Sequence, residues 1–424
     1  MRGMRTVILG AGSLGSAIGG ALSLAGNNVT LVARSRAHVE AVNRSGLKMI
    51  ADGIERTARP IAVTEALGLP PAELLIVLVK SFATKSAIEG ARSLIGERTA
   101  VLTLQNGLGN EELIAEMVGA EKVVSGKSYL GGVLLSPGVV KAGISAKETV
   151  IGELDGSVTE RIRAIAELFN AAGMRTTVSE NIRGLIWDKL LLNSATGAVS
   201  AISGLCYGEL YKLPEMERSG CAAVREGIEA ARKLGIKLSC EDPKKIWEKA
   251  RRGLAYDFKT SMLQSVESGR PTEIDFINGA LARAAEEAGL TAPVNRTLTA
   301  CVKGIEAANK LKAEAAKRAV ELDHAALYVG DIDGCVEFFE RTFKMSVVDD
   351  RRDDALRQAW LDGGIQLIEK PCCGGGKLAH IAVACADVKE RLAAALACGA
   401  EPFPGKENWF TAPGEIVIEL TEAN

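Results

Sequence analysis

The segment from Trp187 to Gly204 reads WDKLLLNSATGAVSAISG and places a lysine and an asparagine among apolar residues. Lys189 and Asn193 are four residues apart, so on a helix they share one face about one turn apart. An ammonium beside an apolar face costs free energy unless a partner compensates it, so the lysine either snorkels at the surface or belongs to a site. In a site, it could donate a proton to a developing alkoxide and stabilise its charge.

Length, composition and charge bound the class of protein. A chain of 424 residues is too long for one ordinary core, so two or three domains are expected. The net charge of -2 gives no reason to expect a nucleic-acid or membrane partner. Nine scattered cysteines without a CxxC pair indicate reduced thiols in a cytoplasm. Glycines interrupt the apolar N-terminal run and no longer apolar segment follows, which favours a soluble intracellular protein.

The N-terminal segment carries a glycine pattern between a strand and a helix. Thr6 to Leu9 is a short apolar and β-branched run, and a helical pattern follows that ends at Gly26. In this context the glycines form a tight turn, and the helix N-terminus offers N–H groups to a pyrophosphate. A glycine-rich turn without a ligand is the alternative. The predicted dinucleotide site consists of Gly10, Ala11, Gly12, Ser13, Leu14 and Gly15.

The ends of the next strands indicate which dinucleotide binds. The strand from Asn28 to Ala33 is followed by Arg34, where an NAD-specific site usually has an acidic residue. Arginine suits a 2′-phosphate, so NADP is expected rather than NAD, and a solvated loop arginine is the alternative. Two further strands are followed by Lys80 and Asn106, at the edge where open α/β sheets bind ligands.

Five motifs together resemble the ketopantoate reductase family, the 2-dehydropantoate reductases of pantothenate synthesis. They are GAGSLG near the N-terminus, LVKSF around Lys80, LQNGLGN around Asn106, WDKLLLN around Lys189, and SMLQSVESGRPTEIDFINGA from Ser261 to Ala280. The resemblance covers roughly the first three quarters of the chain and is far more specific than a dinucleotide motif alone. It implies a Rossmann domain, an all-helical domain and an active site in the cleft between them.

The resemblance also implies a role for individual residues. Lys189 would be the general acid that protonates the ketone oxygen while NADPH delivers hydride to the carbon. Glu273 would organise this lysine, and Asn193 and Ser261 would bind the substrate. The residues implied at the nicotinamide end of the cleft are Lys80 and Asn106, of which Asn106 would also contact the substrate.

Each of these roles has an alternative. Glu273 could be a carboxylate that answers a helix dipole, and Asp275 could take its place in that role. Ser261 could be a surface hydroxyl, and Asn193 could satisfy backbone groups where helices cross. Many members of the family have another asparagine two turns beyond the lysine, where this chain has Gly197. A related 2-keto acid is therefore a second candidate substrate.

Beyond residue 320 strands and helices return in a repeated order. His324 opens HAALYV and His380 opens HIAVAC, and each is followed by a helical stretch and further strands. The two halves end in GGIQLIEKP and GEIVIEL. This internal repeat resembles the paired βαβββ modules of the vicinal-oxygen-chelate superfamily, the relatives of glyoxalase and methylmalonyl-CoA epimerase.

The second resemblance implies a divalent metal such as Zn, Ni, Co or Mn. Each module of that superfamily supplies a histidine from its first strand and a Glu or Gln from its last. Strand alternation favours Gln366 over Glu369, because Glu369 lies on the opposite face of the strand. A metal-free binding module is the alternative. The implied ligands are His324, Gln366, His380 and Glu419, with Glu369 as the alternative to Gln366.

The sequence thus predicts a Rossmann domain over residues 1–180, an all-helical domain over 181–319 and a small α+β domain over 320–424. The principal expectation is an NADPH-dependent 2-dehydropantoate reductase of the cytoplasm, with a homodimer as the candidate assembly. A second expectation is a bifunctional protein whose metal domain is an isomerase or lyase of the glyoxalase or epimerase type. A third is an NADP(H)-sensing scaffold, although a sensor needs no proton donor such as Lys189.

Overall fold

A computed structural model describes residues 4–144, 147–318, 320–352, 356–370, 377–412 and 416–423. The chain divides into two compact units, Met1–Glu306 and Ala307–Asn424. This division falls inside the helix Pro293–Arg318, before the boundary predicted at residue 319. Between residues 307 and 315 nearly all side chains are exposed, so this part of the helix adds little to the core of the first unit. The boundary predicted at residue 180 stays a prediction.

The described part of the first unit contains twelve strands in two sheets. In chain order, β1 to β12 are Thr6–Leu9, Val29–Val32, Leu47–Ala51, Ile54–Ala58, Ile61–Val63, Leu74–Val77, Ala100–Thr103, Val123–Ser128, Gly131–Ser136, Val139–Gly143, Thr149–Glu153 and Thr176–Val178. The larger sheet has the order β12-β11-β8-β7-β6-β1-β2-β5. From β5 to β8 every pairing is parallel, in the strand order of a Rossmann fold. The predicted α/β domain is confirmed.

Five α-helices follow the strands of this part: α1 to α5 are Ser13–Leu24, Arg36–Ser45, Thr84–Gly90, Asn110–Val118 and Glu160–Ala171. Side chains of α1 and α5 pack into the core on one face of the large sheet, and those of α3 and α4 pack on the other. A second sheet, β4-β3-β10-β9, covers the outer side of α1. The first helix is therefore buried between two sheets, which explains its run of small residues.

The remainder of the first unit is helical. Helices α6 to α12 are Ile182–Ser203, Tyr207–Leu210, Pro214–Lys233, Pro243–Ala250, Ser261–Glu267, Asn278–Glu287 and Pro293–Arg318. Asn181 caps α6 by accepting a hydrogen bond from the N–H of Gly184, and Gly204 ends it in the left-handed conformation. The helix contacts strands β8 and β11 as well as α8, α9 and α10. It thus connects the edge of the Rossmann sheet to the helical core.

The described part of the second unit contains the end of α12, a single eight-stranded sheet and two further helices. Its order is β14-β15-β16-β13-β17-β20-β19-β18, and β13 and β17 pair antiparallel at the centre. The order strand, helix, three strands occurs twice. The strands β13 to β20 are Val320–Val329, Val347–Arg351, Gln358–Leu361, Ile365–Glu369, Lys377–Cys385, Glu401–Pro402, Trp409–Ala412 and Ile416–Glu422, and helices α13 and α14 are Ile332–Phe343 and Val388–Ala397.

A search of the described helices for a membrane span finds none that is both long and apolar enough to cross a bilayer. Helix α6 packs inside the protein, and its accessible stripe is partly polar. That stripe contains Leu185, Lys189, Leu192 and Asn193, which are half-buried while most of the helix is buried. The pairing of Lys189 and Asn193 on one face, predicted from their spacing, is therefore present.

Candidate functional site

Three segments of the first unit meet at the carboxyl edge of the large sheet. The glycine loop follows β1, Lys80 and Ser81 follow β6, and Asn106 follows β7. These three strands are parallel neighbours, so their following residues lie side by side. This edge is where open α/β sheets bind ligands.

The glycine loop is shaped for close backbone approach. Gly10 has a φ of +103°, and a Cβ at this position would lie 2.6 Å from the backbone nitrogen of Val79. The N–H of Gly12 donates to the carbonyl of Gly10 over 2.9 Å, which closes the turn. No side chain caps the N-terminus of α1 at Gly12, and space beside Gly12 is open. The first amides of the helix are thus available to an anionic group.

Glu273 links the helical part to the strand ends. Its carboxylate is 8% exposed and accepts from the ammonium of Lys80 at 3.1 Å and from the backbone N–H of Ser81 at 3.1 Å. The Ser81 hydroxyl lies 3.0 Å from the same carboxylate and 2.9 Å from the carbonyl oxygen of Asn106. Asn110 donates to both that hydroxyl and that carbonyl. A buried charge with these donors is well compensated.

The predicted role of Glu273 in organising Lys189 stays a prediction, but its direct contacts differ from an ion pair with that lysine. Its direct partners are Lys80 and Ser81, and among the described residues it forms no ion pair with Lys189. It does favour the charged form of Lys189 from a distance. The reason for the difference is that Glu273 sits directly against the loop after β6, whose ammonium and amide reach it first.

Lys189 is half-buried and points toward the edge of the sheet. Its ammonium donates to the backbone carbonyl of Ser128, at the end of β8, over 2.6 Å. Burial lowers the pKa of Lys189 to about 8, with a smaller contribution from the ammonium of Lys127, whereas Glu273 acts in the opposite direction. The side chain is therefore mostly protonated at neutral pH but loses its proton more readily than an ordinary lysine, as a general acid should.

Lys127 and Tyr129 are neighbours of Lys189 that the sequence did not indicate. The ammonium of Lys127 lies 5.4 Å from the centre of the Tyr129 ring, and that of Lys189 lies 5.7 Å from the same point. Tyr129 is 40% exposed, so solvent reaches this group. Burial lowers the pKa of Lys127 and raises the pKa of the Tyr129 phenol. A lysine within the segment VVSGKSYL was the only available signal.

Two predicted substrate ligands lie on α6 and on α10, which packs against α6. Asn193 is half-buried one turn further along α6, and Ser261 is exposed at the first turn of α10. Among the described residues, neither side chain hydrogen-bonds to Lys189. The adjoining Thr260 caps α10 and contacts α6 through its hydroxyl, which holds the two helices together. Both amide and hydroxyl are thus presented by elements with fixed positions.

Gly197, the predicted departure from the family pattern, is buried on α6. A Cβ there would lie 3.6 Å from the terminal methyl of Met262, which is itself 3% exposed. An ordinary contact of this length leaves room for a methyl group but little for an amide. An apolar thioether therefore lies where the asparagine side chain would extend.

The nucleotide end of the site has one exposed arginine and one buried histidine. Arg34 is exposed after β2, and the neighbouring Arg36 pairs with Glu40 over 3.4 Å. His38 is buried, and burial lowers its pKa. Its Nδ1 accepts from the N–H of Gly138 at 3.0 Å, so its Nε2 carries the proton and faces the Ser16 hydroxyl at 3.1 Å.

Hydrogen bonds that start at His38 reach the glycine loop. The Ser16 hydroxyl donates to the backbone carbonyl of Ala11 over 3.2 Å, after accepting from His38. Hydrogen bonds therefore run from the hairpin before β10, through His38 and Ser16, to the turn between β1 and α1. Sequence motifs did not indicate this chain, because it depends on contacts among three separated segments.

In the second unit, His324, His380 and Glu419 have ligand atoms that all lie within 4.8 Å of one another. The two Nε2 atoms are 3.2 Å apart, and Nε2 of His380 is 3.2 Å from a carboxylate oxygen of Glu419. Asp323 lies 3.2 Å from the other nitrogen of His324. Two imidazole nitrogens and a carboxylate oxygen therefore converge on one region, a donor set suited to a borderline divalent cation.

Gln366 has the correct strand register to face the same side as these histidines. It pairs with Ala326, two residues after His324 on β13, and Ala326 also pairs with His380. Its amide nitrogen donates to Gln358 over 2.7 Å, while its amide oxygen is buried without a partner among the described atoms. An orphaned oxygen on this face fits a fourth ligand. Glu369 lies on the other face by alternation.

Comparisons with known proteins cover the first unit. The family described as Ketopantoate reductase PanE/ApbA matches residues 6–156, and its C-terminal part matches residues 181–306. The 2-dehydropantoate 2-reductase of Pyrococcus horikoshii is 37% identical over 306 residues, which are 72% of this chain and 98% of the relative. The second unit lies outside both matched ranges.

Solved structures give the same result. A ketopantoate reductase from Ralstonia eutropha has a TM-score of 0.67 and 30% identity, covering 72% of this chain and 100% of that chain. D-mandelate dehydrogenase, solved with NADH and anilino(oxo)acetate, has a TM-score of 0.67 and 26% identity over the same shares. The Rossmann sheet, the helical part and the motifs around Lys189 agree with these matches, and the chain belongs to the ketopantoate reductase family of oxidoreductases.

Proposed function

We propose that this protein reduces 2-dehydropantoate to pantoate, with Lys189 as the general acid. The observation that carries the proposal is the half-buried ammonium of Lys189, whose pKa is lowered to about 8 beside the edge of a Rossmann sheet. Bound NADPH supplies the hydride that adds to the keto carbon. As the carbonyl electrons move to oxygen, Lys189 transfers one proton to that oxygen, becomes a neutral amine and regains a proton from water.

The residues around Lys189 support this role by fixing its position. The carbonyl of Ser128 accepts a hydrogen bond from one of the three N–H groups of the Lys189 ammonium, which leaves the other two N–H groups to face a substrate. Glu273 is held by Lys80 and Ser81, so its negative charge favours the ammonium without an ion pair that would immobilise it. Asn193 and Ser261 are proposed as substrate ligands, supported by their accessible positions on α6 and on α10, which packs against α6.

The proposed cofactor is NADP(H), held along the carboxyl edge of the sheet. Support comes from the uncapped N-terminus of α1 behind Gly12, which suits a pyrophosphate, and from the exposed Arg34, which suits a 2′-phosphate. Lys80 and Asn106 would lie at the nicotinamide end, since they follow the next two parallel strands. These residues fit the cofactor because backbone amides and a guanidinium suit its phosphates, and the polar side chains of Lys80 and Asn106 suit its nicotinamide end.

The experiment is a kinetic assay of the full chain with NADPH and a panel of 2-keto acids. 2-Dehydropantoate is expected to have the highest kcat/KM, and the product is expected to be pantoate by chromatography. A second candidate, a related and more apolar 2-keto acid, is favoured by Met262 beside Gly197. The panel therefore includes phenylglyoxylate, the keto acid that corresponds to mandelate. No NADPH oxidation with any member of the panel would overturn the proposed reductase function.

For the second unit we propose a vicinal-oxygen-chelate module that binds a divalent metal through His324, His380 and Glu419. The doubled strand–helix–strand order and the convergence of the three donor atoms support it, and the orphaned oxygen of Gln366 supports a fourth ligand. An isomerase or lyase activity of this module is the corresponding bifunctional candidate. Titration of the metal-stripped full chain with Co²⁺, followed by visible absorption, tests the binding.

A homodimer and a cytoplasmic location stay predictions from the sequence. The ketopantoate reductase family gives a small-molecule 2-keto acid as the partner, and neither a nucleic acid nor a membrane is proposed. Light scattering of the purified chain measures the assembly directly. A mass equal to one chain would contradict the dimer.

A further inference from the structure

The strand β8 brings a second lysine to the group around Lys189. Lys127 lies in β8, Ser128 ends the strand and its carbonyl holds Lys189, and Tyr129 follows directly after the strand. Both ammonium groups approach the same Tyr129 ring, at 5.4 Å and 5.7 Å from its centre. The ring is accessible, so this face opens to a ligand rather than into the core.

The charges around this face are unevenly compensated. Asp188 and Glu148 favour the charged form of Lys127 and Lys249 opposes it, but the Asp188 carboxylate is already held by the backbone N–H of Ser239 at 3.0 Å and by the Ser239 hydroxyl. Among the described residues, neither Lys127 nor Lys189 forms an ion pair with a carboxylate. The third lysine of the cleft, Lys80, differs because Glu273 neutralises it. Two half-buried cations thus face the accessible Tyr129 ring, and among the described residues neither has a carboxylate in direct contact.

We propose that Lys127 is the carboxylate-binding residue of the substrate site, holding the acid group of the 2-keto acid while Lys189 faces its ketone oxygen. This inference rests on the proposed reduction of a 2-keto acid. The two oxygens belong to adjacent carbons, so a substrate that reaches Lys189 brings its carboxylate within the same small region. A carboxylate there supplies the anion that the two ammonium groups lack, and each gains a charge-assisted hydrogen bond.

A further consequence concerns selection among ketones. A neutral ketone of the same shape would occupy the site without compensating Lys127, and the two like charges would remain opposed. The lysine pair therefore discriminates in favour of acids. The Tyr129 ring contributes a surface over which both ammonium groups rest, and burial keeps its phenol neutral by raising its pKa.

The test compares 2-dehydropantoate with its neutral lactone in wild type and variants. Lys127→Gln is expected to raise KM for the acid by about 10- to 100-fold, the effect of a lost charged hydrogen bond. KM for the lactone should change by less than about twofold, because the lactone has no carboxylate to lose. Lys127→Arg should retain most of the preference for the acid. Lys127→Thr, which suits a strand, is a second charge-removing variant if the glutamine variant does not fold.

A pH profile separates this role from a merely structural one. Removal of the Lys127 charge should move the basic limb of kcat/KM to higher pH, because the like charge no longer disfavours the ammonium of Lys189. Lys141→Gln, an equal charge change on an exposed residue of β10, should leave both KM and the profile unchanged. An unchanged KM for the acid, or equal increases for acid and lactone, would overturn the inference. If wild type reduces neither compound, the proposed function itself fails.

Discussion

The proposed reductase site at the carboxyl edge of the large sheet, here called the cleft, and the histidine cluster of the second unit both collect polar groups, but they distribute charge in opposite ways. In the cleft, Glu273 accepts from Lys80 and Ser81, while Lys189 donates to a backbone carbonyl. In the cluster, the ligand atoms of His324, His380 and Glu419 all lie within 4.8 Å of one another. In the functions proposed above, the first arrangement would serve a proton donor and the second would serve a cation.

The difference teaches where each site obtains its electrostatic strength. In the cleft the main cause is desolvation, because burial lowers the pKa of Lys189 to about 8 more than any neighbouring charge does. In the cluster the main cause is the close approach of three ligand atoms, because their side chains come from β13, β17 and β20, which are neighbours in the centre of one sheet. Substitutions in the cleft should therefore affect proton transfer, and substitutions in the cluster should affect metal affinity without altering keto acid reduction.

The largest expected effect is that of Lys189→Ala on turnover. Loss of a general acid typically reduces the rate about 100- to 10,000-fold. NADPH affinity, measured by calorimetry, should stay nearly unchanged because the lysine acts on the ketone oxygen. Lys141→Ala, on the exposed side of β10, is the matched control. A variant that keeps more than about a tenth of wild-type turnover would show that another group donates the proton.

The wild-type pH profile sharpens the same point. Reduction requires the ammonium form of Lys189, whose pKa is about 8 because burial disfavours the charge. Below this pH the lysine can donate its proton, so kcat/KM should fall as pH rises through about 8 rather than through the usual lysine range. Stopped-flow measurements of NADPH oxidation give this profile. A basic limb above pH 10 would contradict a buried donor.

The next largest effect concerns the cluster of the second unit. His380→Ala should weaken Co²⁺ binding at least about 100-fold, since even the outer-shell partners of metal ligands are worth about 10- to 100-fold. Glu369→Gln is the control on the opposite face of β16 and should bind as wild type does. Reductase activity should be equal in both variants. Undiminished binding by His380→Ala, or no Co²⁺ binding by wild type, would refute the metal site.

A smaller effect is expected at the nucleotide end of the cleft. Arg34→Ala should weaken NADPH binding by about 10- to 100-fold, the value of a charged hydrogen bond to the 2′-phosphate. NADH affinity should be unchanged, so the preference between the two cofactors should fall. Arg36→Ala is the matched control, because Arg36 is engaged by Glu40. Calorimetry measures both affinities, and a preserved preference in Arg34→Ala would refute the assignment.

Local patterns were sufficient for much of the first unit. The glycine loop, the strands before Lys80 and Asn106, and the shared face of Lys189 and Asn193 all follow from residue type and spacing over short segments. The four-stranded sheet was not predicted, because β3 pairs in parallel with β10 from a distant part of the chain. Its exposed strands carry only weak alternation, so no local signal identified them.

The partners of charged groups were less predictable than the groups themselves. Glu273 was identified from a motif, but its pairing with Lys80 depends on how the segment before α11 meets the end of β6. Lys127 carried no motif, and its proximity to Lys189 depends on α6 crossing β8. Tertiary packing determines such pairs, and neither the secondary-structure propensity nor the hydrophobic periodicity of a segment gives information about that packing.

His38 provides the smallest expected effect and links the cofactor site to a group without a sequence signal. Its Nδ1 accepts a hydrogen bond from the N–H of Gly138, so protonation of Nδ1 would place two N–H groups opposite each other with no acceptor between them. Burial lowers the pKa of His38 below its usual value of 6.5. The unfolded chain therefore binds more protons as pH falls below about 6.5, and the stability contributed by neutral His38 decreases in that range.

The hydrogen bonds from His38 through Ser16 to Ala11 extend this loss to the glycine loop. The affinity of the wild-type protein for NADP⁺ should be lower at pH 5.5 than at pH 7.5, and part of this decrease, less than about tenfold, should be absent in His38→Gln. The glutamine amide keeps one donor and one acceptor but does not titrate, and titration of the 2′-phosphate is common to both proteins. Calorimetry at the two pH values measures the difference. Equal pH dependence in wild type and variant would show that the glycine loop does not depend on the charge state of His38, and would limit the electrostatic coupling in the cleft to the groups around Lys189.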